Sequence, residues 1–338
     1  MNYRSLLYIV AAILPGFFIP LLVLAVLGIE IKQPEQHLVN AIWRGSVYSL
    51  FALGYALVFS ILGLLNLAHS SVFMWGGFVG LMAVLKLDLP LWTALPIAML
   101  GGGLVSVAVD VVAFLPLRRR DAPRTAQLIS SIGAAVILVN LASIAFGTSP
   151  QRFPQDSIDA LPVDATGAIR VQNASLVDIS FVVTPIQIAV LVISLLLMIF
   201  LQYLVASTRT GRAMRVVAFN QRIASLLSIN VGQIFSLTFF LAGALAGAAG
   251  VLWGLAFNSM TPFMGDGIAL TGLTVIVLGG LGSIRGTVVG GFLVANMEVI
   301  SIAAGYGWGA DVVVFTILFL TLLVRPQGIL GEQKLDKI

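Results

Sequence analysis

Residues 223–265 read IASLLSINVGQIFSLTFFLAGALAGAAGVLWGLAFNSMTPFMG, 43 consecutive positions without an Asp, Glu, Lys or Arg. About 20 apolar residues carry a helix across a bilayer. The stretch therefore holds one complete span, placed at 230–257, with residues left over to turn at both ends. Comparable charge-free runs lie at 5–29, 45–85, 89–109, 125–151 and 179–208. Shorter ones, at 267–284, 286–297, 299–310 and 312–324, are interrupted only by Arg285, Glu298 and Asp311. Dividing the long runs and joining the short ones gives helices at 6–29, 42–62, 71–87, 91–116, 125–147, 184–206, 230–257, 267–283, 286–306 and 311–324. Segments 71–87 and 267–283 are short and glycine-rich, so half-helices near 66–77 and 277–291 are an alternative, and the count is eight to ten.

Composition agrees with this pattern. Only 32 of 338 residues (18 Lys+Arg, 14 Asp+Glu) are charged, against roughly 85 in a soluble chain of this length. Hydrophobic residues make up 59%, and mean hydropathy is +1.06. A soluble enzyme, a disordered chain and a disulfide-stapled domain are excluded. A transmembrane barrel is excluded as well, because its strands alternate apolar and polar residues. The fold class is all-α: a polytopic helical membrane protein, read as one transmembrane domain over 1–338. The absence of cysteine removes disulfides and thiolate chemistry, and two histidines, His37 and His69, make no metal site. Ser5–Ile29 is too long for a signal-peptide core and reads as a retained helix.

Basic residues set the orientation. With ten spans and the N-terminus inside, 13 of the 18 Lys and Arg fall on the cytoplasmic side, chiefly in 118–124, 209–222 and the two termini. That is the positive-inside pattern, with both termini cytoplasmic, and the net charge of +4 marks topology rather than a nucleic-acid surface. Trp43, Trp92 and Trp308 then lie near outer helix ends, where an indole belt is expected. Residues 148–183 read as an irregular extracytoplasmic loop, and 207–229 as a basic, helical cytoplasmic segment.

Within that cytoplasmic segment, STRTGRAMRVVAFNQRIASLLSIN, Thr210 is placed to cap a helix opening at Gly211, and Asn230 with Gly232 to end it. On one such helix Arg212, Arg215, Phe219 and Arg222 fall within roughly an 80° arc, with Val217, Ala224 and Leu227 behind. Two readings fit: a basic helix seated on anionic lipid, or a docking helix for a cytoplasmic partner. Further constellations lie inside the spans. Asn66 and His69, in NLAHSS, share a face if helical and either line a polar path or bond neighbouring helices. Gly243/Gly247, Gly250/Gly254 and Gly286/Gly290 permit close helix approach. VLGGLGSIRGTVVGG, 277–291, has too many glycines (Gly279, Gly280 and Gly282 at its centre) for an ordinary lipid-facing helix, so something packs against that backbone or the helix breaks there. Glu298, on a stripe with Gly291, Ala295, Ile302 and Gly305, is the one carboxylate deep in a span. Asp110 is placed to pair with the arginines of 118–124. The sequence contains no Gly-Lys dipeptide and so no phosphate-binding loop.

Taken together these elements resemble the permease subunits of branched-chain amino acid ABC importers, over about residues 40–331. NLAHSS is similar to the family's Asn-Phe-Ala-His-Gly element, and STRTGRAMR…INVG to its cytoplasmic coupling segment. VLGGLGSIRGTVVGG resembles its glycine signature, and VRPQGILG, 324–331, its usual ending. Length and N-terminal spans look more like the H-type permease than the M-type. Ser70 stands where glycine is usual, Asn220, Gln221 and Arg222 replace a usually acidic stretch, and Ser228 replaces a glycine. The resemblance implies a second permease, two cytoplasmic ATPases that use ATP, an extracytoplasmic binding protein and a bacterial inner-membrane location. It implies ATPase coupling at Arg212, Arg215, Phe219 and Arg222, and no cofactor or catalytic residue in this chain. The expected cargo is a branched-chain amino acid or a related small polar solute. A secondary transporter or channel using Glu298 is the alternative; an intramembrane enzyme has no catalytic constellation here.

Overall fold

The computed structural model describes residues 33–154, 169–174, 177–325 and 327–331. The expected helix 6–29, Lys32, Lys334 and Lys337 lie outside the described residues. The other nine expected spans each fall on an apolar helix. Among the described residues seven helices are long and apolar enough to cross a membrane: α1 (Pro34–Leu62), α2 (His69–Leu87), α3 with its continuation (Leu91–Arg119), α5 (Arg124–Phe146), α6 (Pro185–Ser207), α9 (Val231–Phe257) and α11 (Ile284–Ala303). Two shorter apolar helices, α10 (Met264–Gly279) and α12 (Ala310–Val324), complete the set. The protein is a polytopic helical membrane protein.

The span Leu91–Arg119 is not uniform. α3 ends at Val109, a π-helical turn covers Asp110–Phe114, and α4 runs over Leu115–Arg119. Of the two glycine-rich segments, α2 is a full 19-residue span, whereas α10, with 16 residues, stays short of one. The helix does break inside the glycine signature, where Gly280 and Gly282 take φ of +111° and +85°, a conformation open to glycine at little cost. The loop 148–183 is not wholly irregular. β1 (Ile169–Ala174) and β2 (Val177–Val183) form an antiparallel pair, Val171 opposite Phe181. The run VDISFVV is β-branched and alternating, a strand pattern that the flanking prolines obscured.

The chain divides into two compact units. One comprises the described parts of Leu53–Pro162 and Leu196–Leu270. Its core is the packing of α2, α3 and α9, where glycines bring backbones together. A Cβ on Gly102 would overlap the Gly243 carbonyl oxygen, and one on Gly247 the Ala98 carbonyl oxygen. Phe73, Phe78, Phe114 and Phe239 are fully buried around this seam.

The other comprises the described parts of Met1–Ala52, Val163–Leu195 and Thr271–Ile338. Here α1 lies on α11: Ser49 donates to the Val288 carbonyl at 3.0 Å, and Gly291 abuts Ser49. Trp43, expected in an outer belt, is 93% buried in this contact, whereas Trp92 is 71% exposed as a belt residue should be. The Trp308 side chain lies outside the description.

Candidate functional site

The segment between α6 and α9 is built by three polar caps. The Thr208 side chain, rather than Thr210, accepts from the Gly211 N–H and opens α7 (Arg209–Phe219). Asn220 then adopts φ −162° and its side chain accepts from the Arg222 and Ile223 N–H groups, opening α8 (Gln221–Leu226). Asn230 does not end that helix; it accepts from Gln233 N–H and opens α9. The expected single helix is therefore two. Asn220 competes as a cap, which an uninterrupted periodicity does not register.

This break changes the candidate coupling face. Arg212, Arg215 and Phe219 share α7, whereas Arg222 starts α8 and is not on their helical arc. All four are exposed, Phe219 by 66%. Met214 and Val217 are buried behind α7 and Ala224 behind α8. Leu227, expected at the back, is 61% exposed, as are Ile223 and Leu226 at 43% and 80%. Sequence reading missed those three residues, because the helix phase after Asn220 cannot be carried over from α7. Arg212 donates to the Ser207 carbonyl at 3.4 Å, and Arg215 to the Val205 carbonyl. Both guanidinium groups thus cover carbonyls at the end of α6 that have no partner within their helix. They anchor the segment as well as charging it.

The residues expected to line a pathway or helix interface fall in separate places. Asn66 is not helical; it sits in the turn 63–68, where its Oδ1 accepts from the Ala68 N–H at 3.1 Å. His69 opens α2 fully buried, its ring 4.6 Å from that of Tyr55 and against Gly54. The glycine signature is met by the chain's own ending. Ile329 N–H donates to Leu278 C=O at 2.8 Å and Leu330 N–H to Gly279 C=O at 3.1 Å. A Cβ on Gly280 would strike Gly331, and Gly279 abuts Gly286 across the turn. VLGGLGSIRG and QGILG are mates.

Glu298 lies 14 residues along α11 from Ile284, about 21 Å of helix, so the glycine turn and the carboxylate are not one site. Arg44 donates to its Oε1 at 2.9 Å and the Tyr48 hydroxyl to its Oε2 at 2.6 Å. Arg44 and Tyr48 are four apart on α1 and so share a face, but their spacing does not name the helix they meet. Of the expected stripe, Gly291 and Ala295 are buried, while Ile302 and Gly305 are exposed. Glu298→Gln keeps an acceptor for Tyr48 but removes the charge facing Arg44. The pair is about a fifth exposed, so the loss is a discounted 1–2 kcal/mol or so. Thermal unfolding in detergent should come a few degrees earlier, and an unchanged midpoint would contradict a stabilising pair.

Asp110 and Arg118 pair as expected, at 2.7 Å between Oδ1 and Nη2. Among the described residues no group of three or more His, Cys, Asp or Glu is arranged to hold a metal ion.

Comparison with known proteins gives consistent matches. A family model described as the permease component of the branched-chain amino acid transport system matches residues 37–322. The high-affinity branched-chain amino acid transport system permease protein LivH of Escherichia coli K12 is 33% identical over 311 residues, 90% of this chain and 97% of that protein. The permease protein BraD of Pseudomonas aeruginosa is 33% identical over 318 residues, 91% and 99% of the two chains. A probable branched-chain amino acid transport permease LivH of Methanocaldococcus jannaschii is 27% identical over 307 residues, 86% and 91%.

Proposed function

The chain belongs to the branched-chain amino acid transport permease family, and from that premise we propose how it works: as one of two permeases through which ATPase subunits drive uptake. The chain itself is the membrane-spanning permease component. Its cargo is a branched-chain amino acid or a closely related small solute, handed over by an extracytoplasmic binding protein. Two cytoplasmic ATPases supply the energy, and this chain catalyses no reaction of its own. It resides in the bacterial inner membrane with both termini in the cytoplasm.

The observation that carries this reading is the surface of residues 208–230. A membrane protein without a phosphate-binding loop exposes four arginines on this segment, Arg209, Arg212, Arg215 and Arg222, and with them Phe219, Ile223, Leu226 and Leu227. Arginine and aromatic side chains are the usual anchors of interface cores. Arg212, Arg215 and Phe219 from α7 and Arg222 from α8 are proposed to contact the ATPase. Glu298 supports the reading from the other side. A carboxylate held by Arg44 and Tyr48 is a helix-to-helix tie. His69, packed on Tyr55 and Gly54, and Gly279, packed on Gly286, are assigned to helix interfaces, and Asn66, Gly280 and Gly282 to the turns at helix ends.

The orientation on which docking depends is testable because the chain has no native cysteine. Single cysteines at Arg120 and Gln221 should resist a membrane-impermeant thiol reagent in intact cells, and one at Thr148 should react. Labelling at Gln221 with protection at Thr148 would invert the topology and remove the docking surface from the cytoplasm.

A further inference from the structure

The span Leu91–Arg119 carries a device that the permease reading has not used. Within the π-turn Asp110–Phe114 the Leu115 N–H reaches back five residues to the Asp110 carbonyl. One residue is thereby inserted into the helix, and the Ala113 carbonyl accepts instead from the Ser130 hydroxyl of α5 at 2.9 Å. The insertion has a consequence for charge. Eight residues of regular α-helix would leave Asp110 and Arg118 about 80° apart around the axis. With one residue absorbed by the bulge the spacing behaves as seven, which leaves them within about 20° of one face. The π-turn is what puts the guanidinium over the carboxylate.

Both charged groups also reach α9. Asp110, 1% exposed, accepts from the Ser236 hydroxyl at 3.3 Å on its Oδ2. The Arg118 guanidinium carbon lies 4.6 Å over the ring of Phe235. These are the fifth and sixth residues of α9, which begins directly after the segment 208–230 and is capped by its last residue, Asn230. Beyond Ser236 the same helix enters the glycine seam: Gly243 abuts Ser106, one turn before Asp110. A displacement of 208–230 thus meets the ion pair before it meets the core.

A buried ion pair is weak as a source of stability, because desolvation offsets its attraction, and is better attested as a device for register or switching. Single-turn π-bulges recur at functional sites. We propose that Asp110 and Arg118 are positioning residues for energy coupling: a clasp across the π-turn that holds the first turns of α9 and passes motion of residues 208–230 into the α2–α3–α9 core. The proposal rests on the reading of 208–230 as the ATPase contact. The clasp touches neither ATP nor solute and acts through α9.

The test uses the complete transporter in proteoliposomes, this chain with its second permease, ATPases and binding protein. ATP turnover and leucine uptake are measured on the same preparation. Asp110→Asn, which keeps the shape and removes the charge, should lower uptake per ATP hydrolysed by at least about fivefold, the low end of ordinary coupling between sites. Ser236→Ala should lower it less, and the exchange of Asp110→Arg with Arg118→Asp should restore part of what Asp110→Asn loses. A merely structural pair would lose assembled complex while leaving the ratio untouched in what remains. That result, or a parental ratio in Asp110→Asn, overturns the clasp. Absence of ATP-driven uptake in the parent complex overturns the permease reading itself, and the clasp with it.

Discussion

Gly247→Val should leave little folded protein to purify, and what is recovered should unfold about 4 °C early or more. A Cβ at this position overlaps the Ala98 carbonyl oxygen of α3, with the Ala98 carbonyl carbon at 2.9 Å and Gly76 Cα of α2 at 3.4 Å. The obstacles are backbone atoms of two other helices, so no rotamer change relieves the clash, and the helices must separate. Separation propagates, because Gly243 meets Gly102 and Gly250 meets Phe73 along the same seam. Helix association in a bilayer relies on close packing rather than on expulsion of water, so a lost seam has no hydrophobic term to fall back on. Overpacking costs 1–3 kcal/mol or so even where side chains can yield. About 3 kcal/mol lowers the midpoint of a chain of this size by roughly 4 °C. Gly133, also helical, has nothing within 4 Å of its Cβ position. Gly133→Ala should be neutral or mildly stabilising, by up to about 1 kcal/mol of helix propensity. Thermal unfolding in detergent reads both, and a Gly247→Val midpoint equal to the parent's would refute the seam.

The spans were legible because charge is so costly in hydrocarbon that its absence over 20 residues is written directly into the sequence. The small-xxx-small spacing of Gly243 and Gly247 likewise named the seam, though not the helices that fill it. Three features were not legible, each for a local reason. Asn220 breaks the expected helix through a side-chain cap, which periodicity cannot see. The bulge at Asp110–Phe114 lies just before Pro116, whose missing N–H marks an irregular helix without telling its kind. The glycine signature and the ending QGILG read as separate elements, because a contact between residues about 50 apart is set by tertiary packing alone. Glu298 shows the middle case. Its need for a partner followed from physics, and the identity of that partner, Arg44 with Tyr48, required the structure.

Phe219→Ala should release the ATPase while leaving this chain intact. The ring is 66% exposed, so its removal should cost the fold no more than other surface changes, within about 0.5 kcal/mol. An aromatic anchor at the centre of an interface is typically worth 2 kcal/mol or more, which is about 30-fold in ATPase affinity. The bland rival is attraction to anionic lipid, about 1 kcal/mol per basic residue near the surface, and it assigns the ring almost nothing. Arginine substitutions need more care. Arg215 covers the Val205 carbonyl at the end of α6, so Arg215→Lys perturbs the segment's own anchorage. Arg222, at the start of α8, gives the cleaner comparison. Lysine there preserves charge for lipid but not the bidentate geometry that a carboxylate partner uses. Docking predicts loss of ATPase on co-purification for Phe219→Ala and weakening for Arg222→Lys, and lipid attraction predicts neither.

The most direct measurement is leucine uptake by proteoliposomes containing this chain and its second permease, with and without the ATPase subunits, in the presence of binding protein. Uptake is expected only when ATPase and ATP are both present, at a rate unaffected by dissipating the proton gradient. Uptake by the permeases alone, driven by a proton gradient and lost in Glu298→Gln, would contradict it.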